Sequence, residues 1–171
     1  MALFNGTYVQ NFDLKGRVSV PASFRTALRA GALSISPSSN GPIPIPIVLR
    51  PSEKVSCLEA LTEARHQALV VELEKLDPLS EEYDALATVL FADAYPLETD
   101  REGRIVIQEY LLKHAGLSRS FPIAFVGMGT KFQLWHPDNV PGHKATGRSV
   151  NAARLARQRD QLPEPPYPND A

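Results

Sequence analysis

Apolar and polar positions repeat along this chain in two matching blocks. Val18 and Val20 stand two apart after Asp13-Leu-Lys-Gly16-Arg17, and Ile105 and Ile107 stand two apart after Asp100-Arg-Glu-Gly103-Arg104. A period of two turns one face of a strand into a core. Each block then runs into a helix-like stretch, residues 21–31 and 108–117, and on into apolar, β-branched segments. In the first block these are Leu33-Ser-Ile-Ser, a Pro/Ser/Gly-rich loop from Pro37 to Pro44, and Ile45-Pro-Ile-Val-Leu-Arg-Pro51. In the second they are Ile123-Ala-Phe-Val-Gly, a Met-Gly-Thr turn, and Lys131-Phe-Gln-Leu-Trp-His-Pro137. Proline closes both final strands. The predicted order is strand, turn, strand, helix, strand, hairpin, strand, and it occurs twice.

The turns have a chemical reason for their shared residues. Gly16 and Gly103 supply the positive φ that a tight hairpin needs. Asp13 and Asp100 are suited to folding a carboxylate onto the backbone N–H groups of the turn. Pro21 fits the start of the first helix, where no N–H is required, and Gly31 and Gly116 fit the helix ends.

Between the blocks the pattern changes to a helical period. Leu58, Leu61, Ala64, Ala68, Val71 and Leu76 recur at about 3.6 residues. Asp77-Pro78 breaks the run, and Ser80 with Glu81 and Glu82 restarts it as a capped helix through Leu86, Val89 and Leu90. This predicts a helical hairpin packed on the repeats. Beyond Pro141, residues 148–159 hold four arginines and no acid, and the proline-rich end from Pro163 to Ala171 is expected to be disordered.

Composition adds bounds rather than a function. The chain has 171 residues, of which 43% are hydrophobic, and a mean hydropathy of -0.18, as for a globular protein with a real core. One cysteine, Cys57, allows no internal disulfide and fits a reducing cytoplasm. The N-terminal residues do not form a secretory signal, and no apolar run approaches the ~20 residues of a membrane span. The net charge of -1 conceals segregation. Residues 1–50 carry five Lys/Arg against one acid, residues 51–97 three against ten, and residues 98–171 ten against eight. Such sorting suits a basic face on a neutral molecule, but it also suits a solvated acidic helix surface.

Other constellations are quiet. His66, His114, His136 and His143 lack partners at metal-ligand spacing, so no metal is expected. Cys57, placed in the predicted helix, reads as a packing residue. Phe132 and Trp135 are placed on one strand face with Leu134 opposite, Trp135 serving core or subunit interface, with a stacking role as the alternative. No phosphate-cradling loop or nucleophile elbow is present, and neither an enzyme activity nor a cofactor nor a small-molecule ligand is expected.

The pattern Asp-x-x-Gly-Arg-[Val/Ile]-x-[Val/Ile] leading into a short helix resembles the AbrB-type swapped-hairpin module of bacterial DNA-binding proteins. Two such modules joined by an acidic helical hairpin look like the MraZ family of regulators. Phe24-Arg25 after Val-Pro, Leu90-Phe-Ala-Asp-Ala and residues 125–137 add to the likeness, which runs from about Tyr8 to Asn139. Gln108 in place of Pro21, and the proline-rich first hairpin, depart from the pattern. The resemblance implies an α+β fold, with two pseudo-symmetric AbrB-like swapped-hairpin β-modules forming a double-split barrel. The modules would span residues 7–51 and 93–139, with a helical hairpin connector at 52–92 and a C-terminal helix and tail at 140–171. It also implies a ring-like homo-oligomer, associated with the nucleoid. This would bind tandem short repeats in double-stranded DNA upstream of its own division and cell-wall operon, as a repressor.

Within that frame the candidate DNA contacts are Lys15, Arg17, Arg101 and Arg104, long cations at or beside hairpin tips. Asp13, Gly16, Asp100 and Gly103 are the turn-structuring set. Asp13–Arg17 and Asp100–Arg104 also suit a purely bracing role, which leaves Lys15 and Arg101 as the freer contacts. The arginines of residues 148–159 could add phosphate contacts or form only a soluble helix. Two alternatives stay open: an oligomeric scaffold whose acidic hairpin binds a protein, and an antitoxin-like repressor of the AbrB type.

Overall fold

The computed structural model describes residues 3–35 and 44–141. In chain order, the first repeat gives β1 (Thr7–Gln10), β2 (Arg17–Ser19), α1 (Ala22–Ala30) and β3 (Pro46–Pro51). There follow β4 (Leu58–Leu61), α2 (Glu63–Leu73), α3 (Glu81–Ala87) and a π-helical turn at Thr88–Ala92. The second repeat gives β5 (Tyr95–Glu98), β6 (Arg104–Val106), α4 (Glu109–His114), β7 (Ile123–Gly127) and β8 (Phe132–Trp135). The fold is α+β. Among the described residues no helix is long and apolar enough to cross a membrane.

The described strands make one open antiparallel sheet, in the order β1-β7-β8-β4-β3-β5, and a separate ribbon of β2 and β6. The repeats exchange strands. β1 pairs with β7, setting Tyr8 opposite Phe125, and β5 pairs with β3, setting Leu97 opposite Ile47. The ribbon takes one strand from each repeat. Each repeat therefore completes the other.

One apolar core joins these layers. Ile47, Leu49, Leu58, Phe125, Phe132 and Leu134 face it from the sheet, and Val18 and Ile105 face it from the ribbon. α1 adds Phe24, Ala27 and Leu28, the i, i+3, i+4 stripe that makes this segment an amphipathic helix. Phe24 stacks edge-on with Phe4 and Tyr8 at centroid distances of 5.4 and 5.5 Å. α4 adds Leu111 and Leu112 to the same core.

Four local expectations need revision. Leu58 and Leu61 lie in a strand, not a helix, because β4 is sandwiched between β3 and β8 and buried on both faces. A spacing of three fits either element, so periodicity alone misplaced them. Cys57 accordingly sits in a bend before β4, and the helix begins only after Thr62, whose hydroxyl accepts the Arg65 N–H at 3.0 Å. Leu33 to Ile35 form bends rather than a strand, because the Glu63 carboxylate captures the N–H groups of Leu33 and Ser34 at 2.6 and 2.9 Å. Finally, Phe132 and Leu134 share the core face, while Trp135 lies on the other face with Gln133, to which its indole N–H donates at 3.0 Å. The helix restarting at Ser80 is present, capped by a 3.1 Å bond from the Tyr83 N–H to the serine hydroxyl. The central part of the first hairpin loop, His143, the arginines of residues 148–159 and the proline-rich end lie outside the described residues.

Candidate nucleic-acid interface

Both repeat turns fold the same way. Asp13 Oδ1 accepts the N–H groups of Lys15 and Arg17 at 2.9 and 2.8 Å, and Oδ2 accepts Arg17 Nε at 2.7 Å. Asp100 Oδ1 accepts from Glu102 and Arg104 at 3.0 and 2.9 Å, and Oδ2 accepts Arg104 Nε at 2.8 Å. Gly16 and Gly103, at φ +75° and +79°, then donate to the carbonyls of Asp13 and Asp100, each at 3.0 Å.

These contacts set the charge of the turns. The Arg17 backbone N–H, helped by its guanidinium, holds the Asp13 carboxyl below its ordinary value. At Asp100 desolvation pushes the other way, but the N–H and guanidinium of Arg104 outweigh it and the carboxyl is again lowered. Arg104 in turn is raised, first by its bond to Asp100 and further by the Glu102 and Asp13 carboxylates. That Asp13 acts on Arg104 means the two turns feel each other.

The ribbon explains why. β2 and β6 set Arg17 opposite Val106, Val18 opposite Ile105, and Ser19 opposite Arg104. Val18 and Ile105 are buried, so Arg17, Ser19, Arg104 and Val106 occupy the outward face. Arg17 and Arg104 are diagonal neighbours there, at a spacing of about 7–8 Å in such pairs. Their side chains keep 27% and 26% exposure. Arg104 also reaches the Glu102 carboxylate at 3.0 Å, whereas the Nη groups of Arg17 have no partner among the described residues.

The turn tips are not equivalent. Arg101 occupies in the second turn the place of Leu14 in the first, and Glu102 the place of Lys15. Leu14 is fully exposed. Lys15 and Arg101 are exposed too, without an ion-pair partner among the described residues.

The whole chain aligns with a protein of Gluconobacter oxydans named transcriptional regulator MraZ, at 40% identity over 171 residues and 98% of that protein. A like-named protein of Gluconacetobacter diazotrophicus is 43% identical over 87% of this chain and 88% of its own length. One of Rickettsia bellii is 36% identical over 88% and 92%. The chain belongs to the MraZ family. No protein-family model matches it. The relatives' shared name is that of a regulator of transcription, not of an enzyme.

In this MraZ-family chain, two arginines beyond the sequence-derived set bear on the turns. Arg25 of α1 lies over Gly103 and donates to the Glu102 carbonyl at 3.4 Å. Arg119 lies over Gly16, donates to the Ile107 carbonyl at 2.7 Å and pairs with the Glu109 carboxylate. Each turn is thus roofed by an arginine of the other repeat. For Arg25 a sequence signal existed: with Ala22, Thr26 and Arg29 it forms the stripe of α1 facing away from the core. For Arg119, in a loop, none did. The histidines serve elsewhere, His66 Nε2 bonding the Leu90 carbonyl at 2.8 Å and His114 Nε2 that of Ser52 at 3.3 Å.

Proposed function

We propose that this chain is a DNA-binding transcriptional regulator that lays the β2–β6 ribbon and its two turns into the major groove. One observation carries the reading: Arg17 of one repeat and Arg104 of the other share the outward face of a two-stranded ribbon. The major groove, about 12 Å wide, admits such a ribbon, and arginine can grip guanine O6 and N7 with two donors. Because Asp13 and Asp100 already hold each Nε, less side-chain freedom is lost on binding. Bracing and DNA contact are then two uses of one geometry. Lys15 and Arg101 at the tips take phosphates.

Few cations per chain favour an assembly. A ring-like homo-oligomer on tandem short repeats gains from effective concentration. The reading extends to the repeats upstream of the chain's own division and cell-wall operon, to repression, and to a cytoplasmic protein at the nucleoid. Reciprocal strand exchange supports taking the repeats as swapped-hairpin modules, residues 7–51 and 93–139, of a double-split barrel, with a connector at 52–92 and a tail from 140. Two repeats in one chain weigh against the antitoxin-like alternative.

The test is a gel-shift titration on duplex DNA from upstream of the gene. Arg17→Ala and Arg104→Ala should each remove most binding while gel filtration shows the wild-type oligomer. Wild-type affinity in both variants would end the assignment of those arginines.

A further inference from the structure

Beside the second turn is a cleft of about 370 Å³ between that turn and the outward stripe of α1. Arg25 and Arg29, one helical turn apart, line it from α1, and Arg101 lines it from the turn. None of the three has a carboxylate partner among the described residues. The two carboxylates bordering the cleft are committed: Asp100 to the turn and Arg104, and Glu102 to Arg104 Nη2. The cleft therefore keeps an uncompensated positive charge in a concave, half-shielded place. That favours a small oxyanion over the flat contact a lone surface arginine makes.

The first turn lacks this arrangement. Its roofing arginine, Arg119, is already paired with Glu109 and bonded to the Ile107 carbonyl. The two halves of an otherwise pseudo-symmetric site differ in charge, and the difference sits next to the ribbon.

We infer that the cleft formed by Arg25, Arg29 and Arg101 receives a backbone phosphate of duplex DNA. The inference rests on the DNA-binding reading above and adds two contact residues and an asymmetry to it. Arg25 and Arg29 contribute affinity without reading sequence, as phosphate contacts do. The ribbon reads bases while α1 grips the strand flanking the groove on the side of the second turn.

The decisive measurement is the salt dependence of binding, by fluorescence anisotropy on the upstream duplex and on a scrambled duplex of equal length. Variants are Arg29→Gln, Arg25→Gln, their combination, and, as the comparison, Arg65→Gln at an exposed position of the connector helix α2. The combined variant should make the slope of log K against log salt shallower by about 0.9 per engaged subunit, the single variants by part of that, and each should weaken both duplexes by the same factor. Over a fourfold rise in salt that is about 3.5-fold in affinity per lost contact. Arg65→Gln should leave the slope unchanged. Arg29 is exposed and makes no described side-chain contact, so its variant decides the matter even where Arg25→Gln loosens the second turn.

A wild-type slope in the combined variant overturns the inference while the regulatory reading stands. An equal change in Arg65→Gln overturns it as well, since the effect is then general charge. A Tm rise in millimolar inorganic phosphate that Arg29→Gln abolishes, with slopes unaltered, assigns the cleft to a free anion instead. Wild-type protein that binds neither duplex sinks both this inference and the reading beneath it.

Discussion

Arg25 lies across Gly103 so closely that a β-carbon on the glycine would stand 2.4 Å from the arginine Cδ and Nη1. Arg119 covers Gly16 in the same sense, at 2.8 Å from its Cδ. The glycines therefore satisfy two demands at once, a positive φ and an absent side chain. Gly103→Ala should lose about 1–2 kcal/mol from the left-handed backbone, and more from the displaced arginine. Gly129 provides the comparison: its φ is +76° but nothing lies within 4 Å of an added β-carbon. Urea denaturation should rank Gly103→Ala below Gly129→Ala. Equal midpoints would show that Arg25 yields freely and does not roof the turn.

The turn aspartates predict an acid limit with a definite sign. Both carboxyls are lowered from 3.8, so the stability they add is complete above about pH 4 and disappears as pH falls through their folded values. Asp13→Asn combined with Asp100→Asn keeps one oxygen to accept the turn N–H groups but puts an NH2 where the arginine Nε was accepted, and removes the charge. This variant should be less stable at neutral pH and should lose less than wild type between pH 4 and pH 2. Urea midpoints across that range read the difference, and parallel curves would show that the pairing with Arg17 and Arg104 contributes nothing.

On the face of the sheet away from the main core, Glu59 is 7% exposed. Its Oε2 accepts Arg50 Nε and Nη2 at 3.1 and 2.9 Å, and its Oε1 accepts Lys131 Nζ. Burial pushes the carboxyl up, but the two cations more than reverse that and leave it lowered. Glu59→Ala strands Arg50, itself largely buried, and should cost about 3–5 kcal/mol. Replacing Glu59, Arg50 and Lys131 together with apolar residues of similar volume should recover most of that loss. Thermal melts of the two variants decide it, and an unstable triple variant would mean that the network specifies the sheet rather than merely neutralising itself.

Cys57 is fully buried, and burial pushes its thiol up to about 11. At pH 8 little thiolate exists and little of it is reachable. Native protein should react with a thiol reagent far more slowly than protein in guanidinium. Equal rates would place the sulfur at the surface.

How much of this was readable beforehand follows the range of the forces involved. The two Asp-x-x-Gly-Arg turns and the cap at Ser80 are local, decided by side chains reaching their own backbone a few residues away. The strand β4 was not legible, because Leu58 and Leu61 are buried by neighbours β3 and β8 that lie far off in sequence. Trp135 faces away from Phe132 because a strand's period of two sends residues three apart to opposite sides, and a shift of one position reverses every side chain. The outward stripe of α1 marks Arg25 as exposed, but its place over Gly103 is not legible, because the two are brought together from different repeats. Lys15 and Arg101 were legible as exposed cations, and aligning the two turns already sets them at different tip positions.

The reciprocal pairing of β1 with β7 and β5 with β3 has a consequence for how such a chain can change. A gene cut between its repeats would encode two fragments, each missing the hydrogen-bonding neighbours of its own first strand, so neither half could drift away to bind alone. Selection acting on one turn is felt by the other through Arg25, Arg119 and the shared ribbon. The tips stand outside those contacts, and there Leu14 and Arg101 differ.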